Sequence, residues 1–282
     1  MAYKSILTVV TAAKSAAAQI DAAVALARRE DAHLDVLCLS IDRTQSGYYY
    51  IGAAPMAPIV LQETLQQAEK EAKAIETAVR AQLAPEDIRW AVDTAIAQMG
   101  AVGPEVGRLA RFADLVVVPQ PYGAGSDSEQ EQILESALFD GRAAVMMLPP
   151  GKVDADYGRR IVVAWNQSDQ SMAAIRAALP ALKAASFVDV AVVAPPAHGP
   201  ERSDPGGMLS QFLSRHGIRT EVSVLAKTLP HVSDQLCRHI EDVNADLLVM
   251  GAYGHSRFRE AILGGTTLEM LEKSPVPVLT AH

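Results

Sequence analysis

Short apolar runs rich in β-branched residues alternate along this chain with segments whose apolar positions recur at helical spacing. The runs are apolar almost throughout and do not alternate with polar residues, which is typical of parallel strands covered by helices on both faces. The pattern predicts ten strands, near residues 4–10, 34–40, 88–93, 114–118, 143–148, 159–165, 187–193, 219–225, 246–250 and 276–281. The sequence therefore favours an α/β fold.

The second half of the chain repeats the first. Four blocks recur in the same order: 5–11 with 160–166, 34–39 with 188–193, 88–92 with 218–222, and 113–118 with 245–250. An alanine-rich helical pattern follows the first block of each half, over 16–29 and 172–184. We predict two tandem doubly wound domains, 1–150 and 158–282, each a five-stranded parallel sheet in the order 3-2-1-4-5 flanked by helices.

The composition argues against some classes of binding partner. A net charge of −8 and a pI near 5.4 argue against a nucleic-acid surface, which needs an excess of Lys and Arg. The sequence shows no signal-peptide core and no apolar stretch of membrane-spanning length. Cys38 and Cys237 lie far apart without metal-ligand spacing, which is typical of buried thiols in a reducing compartment. We expect a cytoplasmic protein that binds neither nucleic acid nor membranes.

The candidate chemistry follows the fourth strand of the second half. The apolar run 247–250 ends at Gly251 and Gly254, and nine residues later a second small turn precedes a helical pattern. That turn consists of Gly264, Gly265, Thr266 and Thr267. Glycines let backbone N–H groups approach a phosphate, and a helix N-terminus favours negative charge. The spacing predicts a nucleotide or phosphate site; a tight turn without a ligand is the alternative.

These residues resemble the glycine motif of the universal stress protein family. ATP-binding members carry Gly-x2-Gly-x9-Gly-(Ser/Thr), which here reads Gly251, Gly254 and Gly264 followed by Gly265 in place of the hydroxyl residue. The resemblance is strong over 159–282 and extends to the first half through its topology. It implies Rossmann-like domains of the adenine nucleotide alpha hydrolase type, with ATP as the candidate cofactor.

The resemblance also implies the roles of individual residues. Gly251 and Gly254 would lie along the ribose and first phosphates, and the turn 264–267 would cradle the terminal phosphates. Val193 would present its backbone to the adenine edge, and Met250 would form an apolar shelf.

The end of the first strand of this half departs from the family pattern. The strand end at Ala164 leads to Asn166, where the family usually has Asp. Asn can hydrogen-bond a ribose hydroxyl but is a poorer Mg²⁺ ligand, so the sequence does not favour a Mg²⁺ requirement. Arg257 and Arg259 could approach a phosphate, although a solvated pair is the favoured interpretation.

The first half lacks the glycine motif. Pro119 occupies the position of the first glycine, and an acidic loop over 126–131 would repel phosphates. We expect a non-binding partner domain. The adjacent tyrosines Tyr48, Tyr49 and Tyr50 could form a recognition surface, or a loop folded over the domain edge.

Other functional residues are not indicated. The seven histidines have no metal-ligand context, so we expect them at surface or capping positions. Ser168 and Ser171 lack a nucleophile elbow, and capping of the next helix explains them. We predict no catalytic residues and no metal site, and no arginine finger is evident.

Two classes of function remain open. One is an adenine-nucleotide-binding stress or signalling protein with its site in the second domain; the other is a nucleotide-free module for an unknown protein partner. A low-turnover ATPase is a weaker third alternative. The family resemblance further implies antiparallel pairing of the last strands, 143–148 with 276–280, which would make an intramolecular pseudo-dimer and leaves homodimerisation open.

Overall fold

The computed structural model describes residues 2–14, 16–42, 58–123, 128–151, 153–154, 156–195, 203–253 and 265–282. Several sequence-based predictions lie outside these residues. They concern the tyrosine loop at Tyr48–Tyr50, the glycines Gly254 and Gly264, and the arginines Arg257 and Arg259.

The described residues form ten strands, and each coincides with a predicted one. They are β1 (Ser5–Val10), β2 (His33–Asp42), β3 (Arg89–Gln98), β4 (Leu115–Pro119), β5 (Ala144–Leu148), β6 (Arg160–Ala164), β7 (Phe187–Val193), β8 (Glu221–Leu225), β9 (Leu247–Gly251) and β10 (Val278–Ala281). Eight of them are buried except at a few positions near their ends, as the continuous apolar runs predict. Strands β3 and β8 are mostly exposed or half-buried.

Nine α-helices are described between the strands. They are α1 (Ala16–Glu30), α2 (Pro58–Leu83), α3 (Val102–Ala110), α4 (Ser128–Phe139), α5 (Asp169–Ala177), α6 (Leu179–Ala184), α7 (Gly207–Arg215), α8 (Val232–Asp242) and α9 (Thr266–Lys273). The helical pattern over 172–184 is thus two helices and not one. Pro180 lies in the first turn of α6, where its missing N–H costs nothing.

One compact unit comprises Ala2–Val118 and residues 128–143. Its strands are all parallel, in the order β3-β2-β1-β4. Helix α2 packs on β2 and β3, α1 packs on β1, and α3 packs against α4. This order matches the first four strands of the predicted order 3-2-1-4-5.

The other compact unit comprises residues 119–123 and Ala144–His282. Five of its strands are parallel, in the order β8-β7-β6-β9-β10, which confirms the predicted 3-2-1-4-5 arrangement. Strand β5 adds to β10 in the antiparallel direction, with Val278 opposite Met147 and Thr280 opposite Val145. The predicted antiparallel pairing of the last strands is therefore confirmed, while the domain bounds 1–150 and 158–282 stay a prediction.

An aspartate before the fourth strand of each repeat fixes the start of the first strand. Asp114 Oδ2 accepts hydrogen bonds from the backbone N–H groups of Lys4 at 2.7 Å and Ser5 at 3.1 Å. Asp246 accepts three at 2.9 to 3.1 Å, from the N–H groups of Gly158, Arg159 and Arg160. Carboxylates bound to several N–H groups make strong hydrogen bonds, so these two residues set where β1 and β6 begin.

Helix α5 lies against the end of β9 at Gly251. A Cβ atom on Gly251 would lie 2.4 Å from the backbone nitrogen of Ser171 and 2.6 Å from the carbonyl carbon of Gln170. Ser168 caps this helix, as predicted, by accepting the Ser171 N–H at 3.1 Å. The missing side chain at Gly251 is thus what allows the first turn of α5 to approach the strand.

We expect Asp246→Ala to lower the free energy of unfolding by about 2 kcal/mol, because three backbone N–H groups lose a charged acceptor. Asp242→Ala is the matched control. The Asp242 side chain is 65% exposed with Arg238 3.8 Å away, so its loss should change stability by less than about 0.5 kcal/mol. Urea unfolding measures both, and equal effects would contradict the assignment.

Gly251→Ala should destabilise the protein by about 1 to 3 kcal/mol, because the new Cβ meets backbone atoms that cannot rotate away. Gly100→Ala serves as the control, since no described atom beyond its chain neighbours lies within 4 Å of its Cβ position. Its effect should stay within about 0.5 kcal/mol. Guanidinium unfolding of the two variants decides between a packing requirement at Gly251 and an incidental glycine.

Candidate functional site

The candidate site lies where three adjacent parallel strands end. Strand β6 lies between β7 and β9, so the carboxyl ends of all three meet at one edge of the sheet. Ala164 ends β6 opposite Ala191 and Met250, Val193 ends β7, and Gly251 ends β9. The structure therefore brings together the predicted site residues that follow separate strands.

A left-handed residue that is not glycine follows each of these strands. Gln167 after β6 has φ +63°, Ala194 after β7 has φ +48°, and Tyr253 after β9 has φ +54°. Such residues are uncommon and cost conformational energy, so they persist only where neighbouring contacts hold them. Among the described turns that follow β1 and β4, the left-handed region is used only by a glycine, Gly123.

Asn166 holds the turn between β6 and α5. Its Oδ1 accepts hydrogen bonds from the N–H of Ser168 at 3.2 Å and from the Ser168 hydroxyl at 2.7 Å. With that oxygen engaged, the group that this exposed side chain can offer a ligand is its NH₂. An NH₂ donor suits a hydroxyl or phosphate oxygen and cannot coordinate a metal ion.

The N-terminus of α9 follows the second small turn. Gly265 is the N-cap residue, with φ −68° and ψ 151°, and among the described residues no side chain caps the helix. Thr266 is half-buried. Thr267 is 5% exposed, and its Oγ1 accepts the N–H of Tyr253 at 3.2 Å, which ties the helix to the turn after β9.

Helix α9 is held to α8 by charged side chains. The carboxylate of Glu269, in the first turn of α9, lies 2.9 Å from His231 Nδ1 and accepts a hydrogen bond from Ser233. Lys273 donates to Asp234, and this bond holds the pKa of Asp234 below its usual value. The acidic group nearest the helix N-terminus is thus bound to α8.

The corresponding position in the first repeat is occupied by side chains. Gln130, in the first turn of α4, donates from Nε2 to Thr11 Oγ1 at 3.0 Å, just beyond the end of β1. The adjacent Glu129 is 8% exposed. Where the second repeat presents Gly265 and two threonines, the first repeat presents a buried amide and a buried carboxylate.

A buried polar cluster in the second unit was missed by sequence reasoning. Asp189 on β7 accepts a hydrogen bond from Ser223 on β8 at 2.9 Å and lies 2.5 Å from Nε2 of His239 on α8. The expectation of surface or capping histidines is therefore wrong for His239, which is 7% exposed. The serine bonds the carboxylate and not the imidazole, so the imidazole cannot take its proton as a catalytic base would.

The remaining candidate groups give no second site. Both cysteines are free, and burial raises the pKa of Cys38 to about 11 and also raises the pKa of Cys237. Across the described ranges, no three His, Cys, Asp or Glu side chains group closely enough to hold a metal ion. None of the described helices is both long and apolar enough to cross a membrane.

Comparison with known proteins identifies the second half. The model of the universal stress protein family matches residues 158–282. Universal stress protein Slr1230 of Synechocystis is 40% identical over 74 residues, a match that spans 26% of this chain and 25% of that relative. The chain thus covers about a quarter of this relative's length.

Solved structures match both halves. A universal stress protein from Archaeoglobus fulgidus has a TM-score of 0.68 at 15% identity, over 98% of this chain and 96% of that one. The functionally unknown protein PA1789 from Pseudomonas aeruginosa has a TM-score of 0.59 at 13% identity, over 99% and 92%. These two likenesses show the shared fold. The family match shows a universal stress protein domain at residues 158–282.

Proposed function

We propose that the protein binds an adenine nucleotide, with ATP as the preferred ligand, at the carboxyl ends of β6, β7 and β9. Binding itself would be the function, in a stress response or in signalling, through a change in the surface offered to a protein partner. Both thiols are free, in keeping with the reducing, cytoplasmic compartment expected from the sequence.

The observation that carries this proposal is the N-terminus of α9. The first N–H groups of a helix have no acceptor within the helix, and the helix dipole makes this end partly positive. Gly265 supplies no side-chain acceptor to this end, and Glu269, the acidic residue of the first turn, is bonded to α8. An anionic phosphate can therefore take the place of a capping side chain.

Two further features support a nucleotide. Asn166 can donate its NH₂ to a ribose hydroxyl or phosphate oxygen from the end of β6. Left-handed backbone at Gln167, Ala194 and Tyr253 gathers at this one edge, and such strain is characteristic of functional sites. The residues predicted to contact the base, Val193 and Met250, end or nearly end the neighbouring strands.

Hydrolysis is a weaker alternative because the described site residues include neither an arginine that could stabilise a transferring phosphoryl group nor a carboxylate placed to orient water. The nucleotide-free interaction module has one observation in its favour. Gly251 is required by the packing of α5 whether or not a nucleotide binds, so this glycine alone does not demand a ligand.

Substitutions at Gly265 separate the two functions. Its φ and ψ are open to any residue, so Gly265→Asp should cap α9 and raise stability by about 0.5 kcal/mol. The same carboxylate should weaken ATP binding at least about tenfold, because it repels the phosphate that would lie there. Thermal-shift titration with ATP, ADP and AMP measures both effects.

Gly265→Ser is the matched control. It caps the helix without charge and restores the hydroxyl residue of the family motif, so ATP affinity should hold or improve. If millimolar nucleotide shifts the melting temperature of neither the parent protein nor the Gly265→Ser variant, the proposal is overturned and the interaction module is favoured.

Asn166→Asp should create a metal requirement. Asp keeps the oxygen that holds Ser168 and adds a charged ligand for Mg²⁺, so this variant should bind ATP more tightly when Mg²⁺ is present. The parent should show less than about a threefold effect of Mg²⁺, since a neutral amide contributes little to metal binding. Calorimetric titration with and without Mg²⁺ tests this, and a strong Mg²⁺ effect in the parent would contradict it.

A further inference from the structure

The turn after β9 depends on an aromatic residue in an unfavourable conformation. Tyr253 has φ +54°, a region that bulky residues rarely adopt, and it lies between the glycines of the nucleotide motif. The described backbone from Gly251 to Tyr253 ends in this conformation. Contacts that hold Tyr253 therefore also hold the turn.

Two hydrogen bonds fix Tyr253 at opposite ends. Its backbone N–H donates to Thr267 Oγ1 at 3.2 Å, and its phenol oxygen lies 2.9 Å from the phenol oxygen of Tyr122. The residue is only 7% exposed. The first bond joins the turn to α9, and the second joins it to a residue of the first repeat.

Tyr122 reaches the turn on a short segment that packs with the second unit. Residues 119–123 follow β4 and belong to the same compact unit as β9 and α9. Gln120 Nε2 donates to the carbonyl oxygen of Glu272 near the end of α9. Pro119 and Pro121 limit the freedom of this segment, so the Tyr122 hydroxyl is presented from a restrained backbone.

Both tyrosines follow the fourth strand of their repeat, but at different positions. Pro119 occupies the position of Gly251, so the repeat aligns Tyr122 with Gly254 and not with Tyr253. The segment that has exchanged the leading glycine for Pro119 nevertheless places its tyrosine in a hydrogen bond with Tyr253. A segment without the nucleotide motif is thus bonded to the described start of the turn that has it.

We infer that Tyr122 is a positioning residue for the nucleotide site of the second domain. Its hydroxyl holds the ring of Tyr253, Tyr253 holds the turn after Gly251, and that turn meets α9 at Thr267. This inference rests on the proposed function, and it gives the first repeat a part in binding that its own sequence does not suggest.

A double-mutant cycle tests the inference. Tyr122→Phe and Tyr253→Phe each remove one hydroxyl and keep the ring, so the fold should persist. Each should weaken ATP binding by about three- to tenfold, the worth of a partly buried hydrogen bond. Because both remove the same bond, the double variant should bind no more weakly than either single variant.

Gln120→Ala is the matched control. It removes a hydrogen bond from the same segment to the far end of α9 and should lower thermal stability while leaving the ATP dissociation constant within about twofold of the parent. Calorimetric titration of all four variants, with melting temperatures measured without nucleotide, separates positioning from general stability.

The measured affinities test the inference and the proposed function separately. A parent that binds ATP together with a Tyr122→Phe variant of unchanged affinity overturns the inference and leaves the proposed function intact. Penalties that add in the double variant, or an equal loss in Gln120→Ala, also overturn it. A parent that binds no adenine nucleotide overturns the proposed function and the inference with it.

Discussion

The candidate site depends on the approach of the first turn of α5 to the end of β9. Gly251 carries no side chain, and the backbone nitrogen of Ser171 lies where a Cβ atom would otherwise be. Strand pairing places the ends of β6 and β9 side by side, and the contact at Gly251 brings the start of α5 against them. The same helix start is fixed by Ser168, which in turn is bonded to Asn166. The absence of a side chain at Gly251 therefore allows the start of α5 to meet the end of β9.

The two repeats share the scaffold and differ at the strand ends. Asp114 and Asp246 have the same role in the two copies, since both accept hydrogen bonds from backbone N–H groups at the start of the first strand. At the other end of the sheet, Gln130 reaches Thr11 in the first repeat, whereas in the second the N-cap residue of α9, Gly265, has no side chain that could cap the helix. The positions at which a ligand is proposed are thus among those where the repeats differ.

The sequence predicted the strands because they depend on a local pattern: continuous apolar runs mark buried parallel strands. A strand followed by glycines and a helix is also a local pattern, and the site inferred from it stays a prediction. The reason for Gly251 was not predictable, since it depends on a helix turn distant in sequence. The bonds of Tyr122 with Tyr253 and of Asp189 with His239 join distant residues with no shared spacing. The turn at Asn166 could have been predicted from the sequence, because an Asn side chain often bonds the backbone N–H two residues later, here that of Ser168.

The antiparallel pairing of β5 with β10 has a consequence for dissecting the protein. A fragment that begins at residue 158 would keep the family domain but lose β5, and β10 would then present unpaired N–H and C=O groups along an apolar strand. Exposed edges of this kind recruit other strands. Such a fragment would be prone to self-association through β10. Its oligomeric state would then reflect the loss of β5 and not a property of the full chain.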